Sequence, residues 1–262
     1  MLSENDRYAE GVKDIRDLAI LDHLRASRAA SVADLAAATG SSVATIRRDL
    51  QRLDDAGLLR RTHGGAVLSD GHEGDAPFPE VETVHREQKR RIAAAAAALV
   101  EDGHTVVLDI GTTVLQLATL LRGRPVTVIT ANMAVFEALK DDHAVHLVLL
   151  PGDYDPVYHS VSGPLTTDSL RLIRADHAFL GVSGISASGD LRDTTIAQVP
   201  IKQAIADACD EVTVLADSSK FPGTGAARID LPSSIVRIVT DDEPPVSVAA
   251  AFAAHGVEVL VA

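Results

Sequence analysis

Two short segments of this chain set glycine, hydroxyl groups and charge at spacings that suit an anionic ligand. In VVLDIGTTVLQLA, Asp109 closes an apolar run and Gly111-Thr112-Thr113 opens a helical one. Glycine lets backbone approach a ligand closely, and the threonine hydroxyls and first amides of a helix suit a phosphate. Asp109 is placed to accept hydrogen bonds from sugar hydroxyls. The same letters also fit a helix that is simply capped by Thr112. In VLADSSKF, Asp217-Ser218-Ser219-Lys220 follows another apolar run. Lys220 beside two hydroxyls is either the cationic half of an anion site or a lysine on a surface turn. Softer signals come from Thr130-Ala131-Asn132, Gly152-Asp153 and Gly181-Val182-Ser183-Gly184. Asn132, Gly152 and Gly184 each follow an apolar run, as ordinary strand–turn joins do; together they gather polar loops at one sheet edge.

A third segment carries different chemistry. Residues 41–66 hold five arginines in a chain of formal charge −13. Val32, Leu35 and Ala36 recur at helical spacing, Thr39-Gly40-Ser41 forms a tight turn, and Ser42 is suited to capping the helix that follows. In that helix Val43, Ile46, Leu50 and Leu53 make one apolar stripe. Ala44, Arg48 and Gln51 point the opposite way, flanked by Thr45, Arg47 and Arg52. Gly57 ends the helix. LLRRTHGGAVL then reads as two short strands about Gly64-Gly65, bearing Arg60, Arg61 and His63. A solvated basic helix face explains the arginine pair alone. The turn, cap, spacing and hairpin together predict a winged helix-turn-helix whose outward face enters the major groove of double-stranded DNA. Ser42, Thr45, Arg47, Arg48, Gln51 and Arg52 are the expected DNA residues on the helix. Arg60, Arg61 and His63 are expected to hold phosphates from the wing.

These residues need elements to position them. Residues 12–68 are expected to form the winged helix-turn-helix domain. Residues 69–86 are rich in Gly, Pro and acid and read as a linker. From residue 87 to 262, short Val/Ile/Leu-rich runs alternate with helical patterns. Strands are predicted at Thr105–Ile110, Val126–Thr130, Val145–Leu150, His177–Val182, Glu211–Ala216, Ile235–Thr240 and Glu258–Val261. Helices are predicted at Thr113–Leu121, Asn132–Leu139, Leu165–Ile173, Ile196–Ala208 and Val248–His255, with the Ala run at 93–98 continuing a helix begun near Glu87. Such alternation predicts an α/β domain with a mostly parallel sheet covered on both faces. Ligands of such sheets sit at the carboxyl ends of the strands.

The N-terminal motif resembles the DNA-binding domain of the DeoR family of bacterial transcriptional regulators. Its signature is carried by Thr45-Ile46-Arg47-Arg48-Asp49-Leu50 and by Arg61-Thr62-His63-Gly64-Gly65-Ala66. Ser41 stands where that family usually has an aliphatic residue. The resemblance extends over nearly the whole chain. The family's D-S-G-T-T is matched by Asp109-Ile110-Gly111-Thr112-Thr113, its D-S-S-K-F by Asp217 to Phe221, and its lysine near the start of the sensor domain by Lys89. The family's T-N-S appears as Thr130-Ala131-Asn132, and acid at Asp153 and Asp155 occupies a region where an Arg is common. The resemblance implies a sensor domain with a sugar-phosphate isomerase or CoA-transferase-like fold that binds a phosphorylated sugar or related metabolite. It also implies a regulator, expected to be a repressor of a carbohydrate or nucleoside catabolic operon. A sugar-phosphate isomerase-like enzyme with an appended DNA-binding head is the alternative, with Asp109 or Asp217 as base.

Composition sets the limits. The 262 residues are 46% hydrophobic but only 3% aromatic, with no Trp, which argues against base-stacking platforms. Residues 1–68 balance ten basic against ten acidic side chains, so residues 69–262 carry the whole −13. An acidic body repels nucleic acid, so DNA contact has to be local. One cysteine, no long apolar run and a polar start predict a cytoplasmic protein without a membrane partner. His143 and His146 are three apart, yet no Cys/His grouping has ligand spacing, so no metal or other cofactor is expected. Gly181-Val182-Ser183-Gly184 breaks the spacing of a nucleophile elbow, and no catalytic residue is assigned. A single winged head contacts few base pairs, so a homo-oligomer, dimer or tetramer, is expected.

Overall fold

The computed structural model describes residues 16, 17, 19–21, 23, 24, 27, 29–55, 59–62, 64–67, 78–223, 225–229 and 235–262. Contacts divide the chain into two units, Met1–Asp75 and Ala76–Ala262.

In the first unit, a strand β1 (Ala29–Ser31) leads into α1 (Val32–Thr39) and α2 (Val43–Asp55), followed by β2 (Arg60–Thr62) and β3 (Gly65–Val67). Ser31 and Asp34 form a reciprocal capping box at the start of α1. The hairpin expected at the Gly-Gly turn is present and gains β1 as a third strand, in the order β1-β3-β2, all antiparallel. A Cβ at Gly65 would lie 2.0 Å from the Ala30 carbonyl oxygen, so glycine is what allows β1 to pair. Ile20, Leu24, Leu35, Ile46, Leu50, Leu53, Leu59 and Ala66 make a small core. The apolar stripe of α2 therefore begins at Ile46. Val43, expected in that stripe, is 43% exposed, because it lies in the first turn, beyond the reach of the core.

In the second unit, seven strands form one parallel sheet: β4 (Thr105–Leu108), β5 (Thr127–Thr130), β6 (His146–Leu149), β9 (Ala175–Gly181), β12 (Cys209–Leu215), β14 (Ile235–Thr240) and β15 (Glu258–Val261). Their order is β15-β14-β12-β9-β4-β5-β6. All seven lie where apolar runs predict them. Successive side chains go to opposite faces. Val106, Leu108, Val128, Phe179 and Val239 pack on one face against α4 (Arg86–Ala97), α5 (Thr112–Leu120) and α6 (Met133–Leu139). Val107, Ile129, Ala178, Leu180 and Ile238 pack on the other against α7 (Pro164–Leu170), α8 (Val199–Ala208) and α9 (Val246–Ala254). The helix expected over Ile196–Ala208 is divided. Ile196–Gln198 is a 3-10 turn, and Pro200, lacking an amide donor, sits in the first turn of α8.

Three features depart from the sequence pattern. Helix α3 (Phe78–Thr83) occupies part of the stretch expected to be linker and belongs to the second unit. Phe78 is buried with the α4–α6 face, and Lys89 Nζ donates to the Val81 carbonyl at 2.8 Å. The other two are a hairpin, β7 (Asp153–Asp155) with β8 (Ser160–Ser162), and a small antiparallel sheet of β10 (Gly184–Ile185), β11 (Leu191–Asp193) and β13 (Ala227–Ile229). Strands of two or three residues are too short for alternation to register. Among the described residues, no helix is long and apolar enough to cross a membrane, and no group of three or more His, Cys, Asp or Glu is placed to hold a metal ion.

His177 is buried within β9. Its Nε2 lies 2.7 Å from Thr213 Oγ1, and its ring stacks on Phe179 with centroids 4.3 Å apart. Burial, reinforced by the charge of Arg237, pushes its pKa from 6.5 down to about 4. The folded state thus refuses a proton that the unfolded state accepts below 6.5. Its contribution to stability is complete above pH 6.5, falls as the pH drops and levels off below about 4. The loss over that window is about 3 kcal/mol. Urea unfolding across the window is expected to show this slope in the wild type and to show it flattened in His177→Gln; equal slopes would refute the assignment.

Candidate DNA interface and effector site

The residues expected to face DNA separate into those that hold α2 and those left outward. Ser42 Oγ accepts from the Thr45 amide at 3.1 Å and lies 2.8 Å from Thr45 Oγ1, so these two hydroxyls close the helix start. Asp49 is buried and accepts from Arg16 at 2.6 Å (Nε) and 3.3 Å (Nη2). Arg52 turns to Asp17 and to Asp49, and so faces the first helical segment. The acid inside the Arg-Arg-Asp sequence therefore ties α2 to its own domain. Gln51 accepts from Arg61 Nη1, which links the helix to the wing. The Arg61 amide donates to Asp54 at 3.3 Å. Arg47 and Arg48 are exposed. Arg60 lies in β2; Gly57 and His63 fall outside the described residues.

In the second unit the chain leaves β4 outward through β5 and β6, then returns to the opposite side of β4 as β9. The carboxyl ends of β4 and β9 flank this reversal, which is where open α/β sheets bind ligands. Asp109 follows β4 there. Its Oδ2 accepts from the Gly181 amide at 3.1 Å and from Lys202 Nζ. Lys202 Nζ also donates to the Gly181 carbonyl at 2.7 Å and lies 3.5 Å from Asp193 Oδ2. Lys202 and Asp109 are both 1% exposed. Burial opposes the Lys202 ammonium, but the combined pull of Asp109 and Asp193 sets its pKa above the ordinary lysine value. Burial pushes the Asp109 carboxyl up, against the pull of Lys202.

Among the described residues, the buried oxygens without a protein partner include Asp109 Oδ1, Thr195 Oγ1 and Gln198 Oε1. The backbone of Thr195 and Gln198 is tied to Asp193 and hence to Lys202. Asp193 Oδ1 accepts from the Thr195 amide at 2.9 Å, and the Gln198 amide donates to the Thr195 carbonyl at 3.1 Å. Just after Asp109, α5 starts behind Gly111, whose φ of 121° favours glycine, and no side chain caps the helix. Thr112 and Thr113 are buried in its first turn. A buried helix start without a cap leaves amide donors for an anion.

Other expected site residues have internal duties. Asn132 Oδ1 caps α6, accepting from Ala134 and Val135, while its Nδ2 donates to the Asp109 and Gly111 carbonyls, each at 3.4 Å. It shapes the loop from behind. At Gly152 a Cβ would lie 2.4 Å from Thr166 Oγ1, and a Cβ at Gly223 would lie 1.8 Å from Gly184 Cα. Both Gly152 and Gly184 sit at close backbone packing. Asp217 Oδ1 accepts from the Ser219 amide at 3.0 Å, Asp217 Oδ2 is another buried oxygen without a protein partner among the described residues, and Lys220 is half-buried in the same turn. Lys202, Asp193, Thr195 and Gln198 were absent from the sequence expectation. The available signal was Lys202 itself: it shares the buried face of α8 with Ile201, Ile205 and Ala206, where a lysine needs a partner.

Residues 84–242 match the DeoR C terminal sensor domain, and residues 16–71 match the DeoR-like helix-turn-helix domain. The chain is 32% identical over 230 residues to the L-fucose operon activator of Haemophilus influenzae, covering 88% of this chain and 92% of that one. It is 31% identical over 215 residues to the glycerol-3-phosphate regulon repressor of Escherichia coli, covering 82% and 85%. It is 32% identical over 232 residues to the lactose phosphotransferase system repressor of Lactococcus lactis, covering 86% and 89%. Ribose 5-phosphate isomerase A from Methanocaldococcus jannaschii aligns with a TM-score of 0.39 at 19% identity, covering 52% of this chain and 54% of that one.

Lys202→Met leaves Asp109 and Asp193 buried together without their cation. Removing one member of a buried pair costs about 3–5 kcal/mol. A fall of that size in the unfolding free energy of the second unit is expected by urea denaturation; a fall below about 1 kcal/mol would show that the pair is not internally balanced.

Proposed function

Because the chain belongs to the DeoR family of DNA-binding transcriptional regulators, we propose that it represses a carbohydrate or nucleoside catabolic operon and is released from its operator by a phosphorylated sugar. The observation that carries the effector reading is the buried Asp109 Oδ1 without a protein partner among the described residues, just before the uncapped start of α5, with Thr195 and Gln198, tied through Asp193 to Lys202, adding two further unpartnered oxygens. The uncapped helix start suits the phosphate. The acceptor oxygens suit the hydroxyl groups of the carbon chain, which are donors. One molecule carrying both ends satisfies both halves of the site. Names such as fucose operon activator and glycerol-3-phosphate regulon repressor among the relatives support this class of signal.

The head reads DNA through α2, with Arg47 and Arg48 outward and Arg60 and Arg61 on the wing. A dimer or tetramer presents paired heads to paired half-sites. The effector acts through its difference in affinity for the operator-bound and released states of that oligomer.

Two measurements test the proposal. In thermal unfolding of the full chain, a phosphorylated sugar at 100 times its Kd adds about 2.7 kcal/mol of stability. The unphosphorylated sugar does not match it, Gln198→Leu weakens the effect, and the same compound releases bound operator. A full panel of phosphorylated sugars with neither stabilisation nor release overturns the effector reading. Turnover of a panel member favours the isomerase-like alternative. Separately, Arg48→Ala is expected to weaken binding to a selected operator by about 1–3 kcal/mol, measured by titration with labelled duplex; unchanged affinity removes Arg48 from the interface.

A further inference from the structure

We propose that Val43 is a sequence-reading residue, whose methyl groups contact the C5-methyl of a thymine in the operator's major groove. The inference rests on the DNA-facing reading of α2 and adds to it a residue that the sequence pattern assigns to the core.

The side chains at the start of α2 are not equivalent. Ile46, Leu50 and Leu53, on the stripe that Val43 was expected to share, are at most 1% exposed, whereas Val43 is 43% exposed. Ser42 and Thr45, the polar side chains of this turn, are hydrogen-bonded to each other and to the helix end. Their hydroxyls are thus engaged in closing α2. Ala44 is exposed but offers one methyl group. Val43 offers two. It lies four residues before Arg47, so on a helix the two side chains neighbour each other along the axis. The surroundings select nucleic acid as the occupant. The first turn of α2 contains no acidic residue, although a helix start favours acid, and exposed Arg47 and Arg48 follow within the next turn. A positive helix start with two outward arginines complements phosphate. Recognition helices contact base edges with their N-terminal residues, and an aliphatic side chain there matches the thymine methyl, which only A·T pairs present.

The experiment uses the full chain. A bound duplex is selected from randomised DNA, and each thymine is replaced in turn by deoxyuridine, which lacks only the methyl group. At one thymine per half-site the wild type is expected to lose affinity about fourfold, the worth of one buried methyl. Val43→Ala is expected to bind the thymine duplex more weakly than the wild type and to lose this dependence at that position alone. Val43→Thr, which keeps one methyl, is expected to fall between them. Because Val43 is largely outside the core, both variants should unfold like the wild type, which circular dichroism checks. If Val43→Ala keeps the wild-type dependence at every thymine, or if no uracil substitution matters, the assignment is overturned while DNA binding by α2 stands. Failure to retain any duplex would overturn the DNA reading of α2 itself.

Discussion

A lysine ammonium buried to 1% exposure cannot stand alone, and its need for partners organises the centre of the second unit. Lys202 reaches from α8 to the loop after β4, the end of β9 and the start of the loop after β11, through Asp109, the Gly181 carbonyl and Asp193. The two strands so joined are the pair at which the sheet reverses its direction of growth. Asp109, Gly181 and Asp193 are held relative to one another by this one cation. Two carboxylates against one ammonium leave an acceptor-rich surrounding, and the same loop then exposes amide donors at the start of α5.

How much of this was legible in the sequence follows from what each residue has to do locally. The inner strands of the sheet are buried on both faces and the edge strands β6 and β15 only in part, yet each is a short apolar run, and the helices between them show helical periodicity. The Asp109-to-Thr113 loop and Asp217 were visible because their chemistry sits in consecutive letters. Lys202, Asp193, Thr195 and Gln198 were not, because tertiary packing brings them to Asp109 from as many as 93 positions away. The short strands β7, β8, β10, β11 and β13 carry no period. Gly152 and Gly184 follow apolar runs as strand–turn joins do, and single letters do not show that protein packs closely there, with Thr166 and Ser162 against Gly152 and Gly223 against Gly184.

Val43 failed for a third reason. Periodicity gives a side chain's direction about a helix axis but not whether a core extends to that level. The core of the head reaches Ile46 and stops. Asp49 was legible as part of a signature, and its duty became clear only when Arg16 and Arg52 were found on it.

The head's even balance of charge conceals a separation. Of its acids, Asp34 serves the capping box, Asp49 and Asp17 take Arg16 and Arg52, and Asp54 accepts the Arg61 amide. These contacts engage acids with their own domain, so the residues turned outward from the early turns of α2 are apolar or basic. Neutral on average, the head is positive where α2 faces out. The second unit, with 14 basic against 24 acidic side chains, carries −10 of the net −13 and repels DNA at longer range. Attraction must therefore come from a few short contacts made by α2 and the wing, which act within a Debye length of the phosphates.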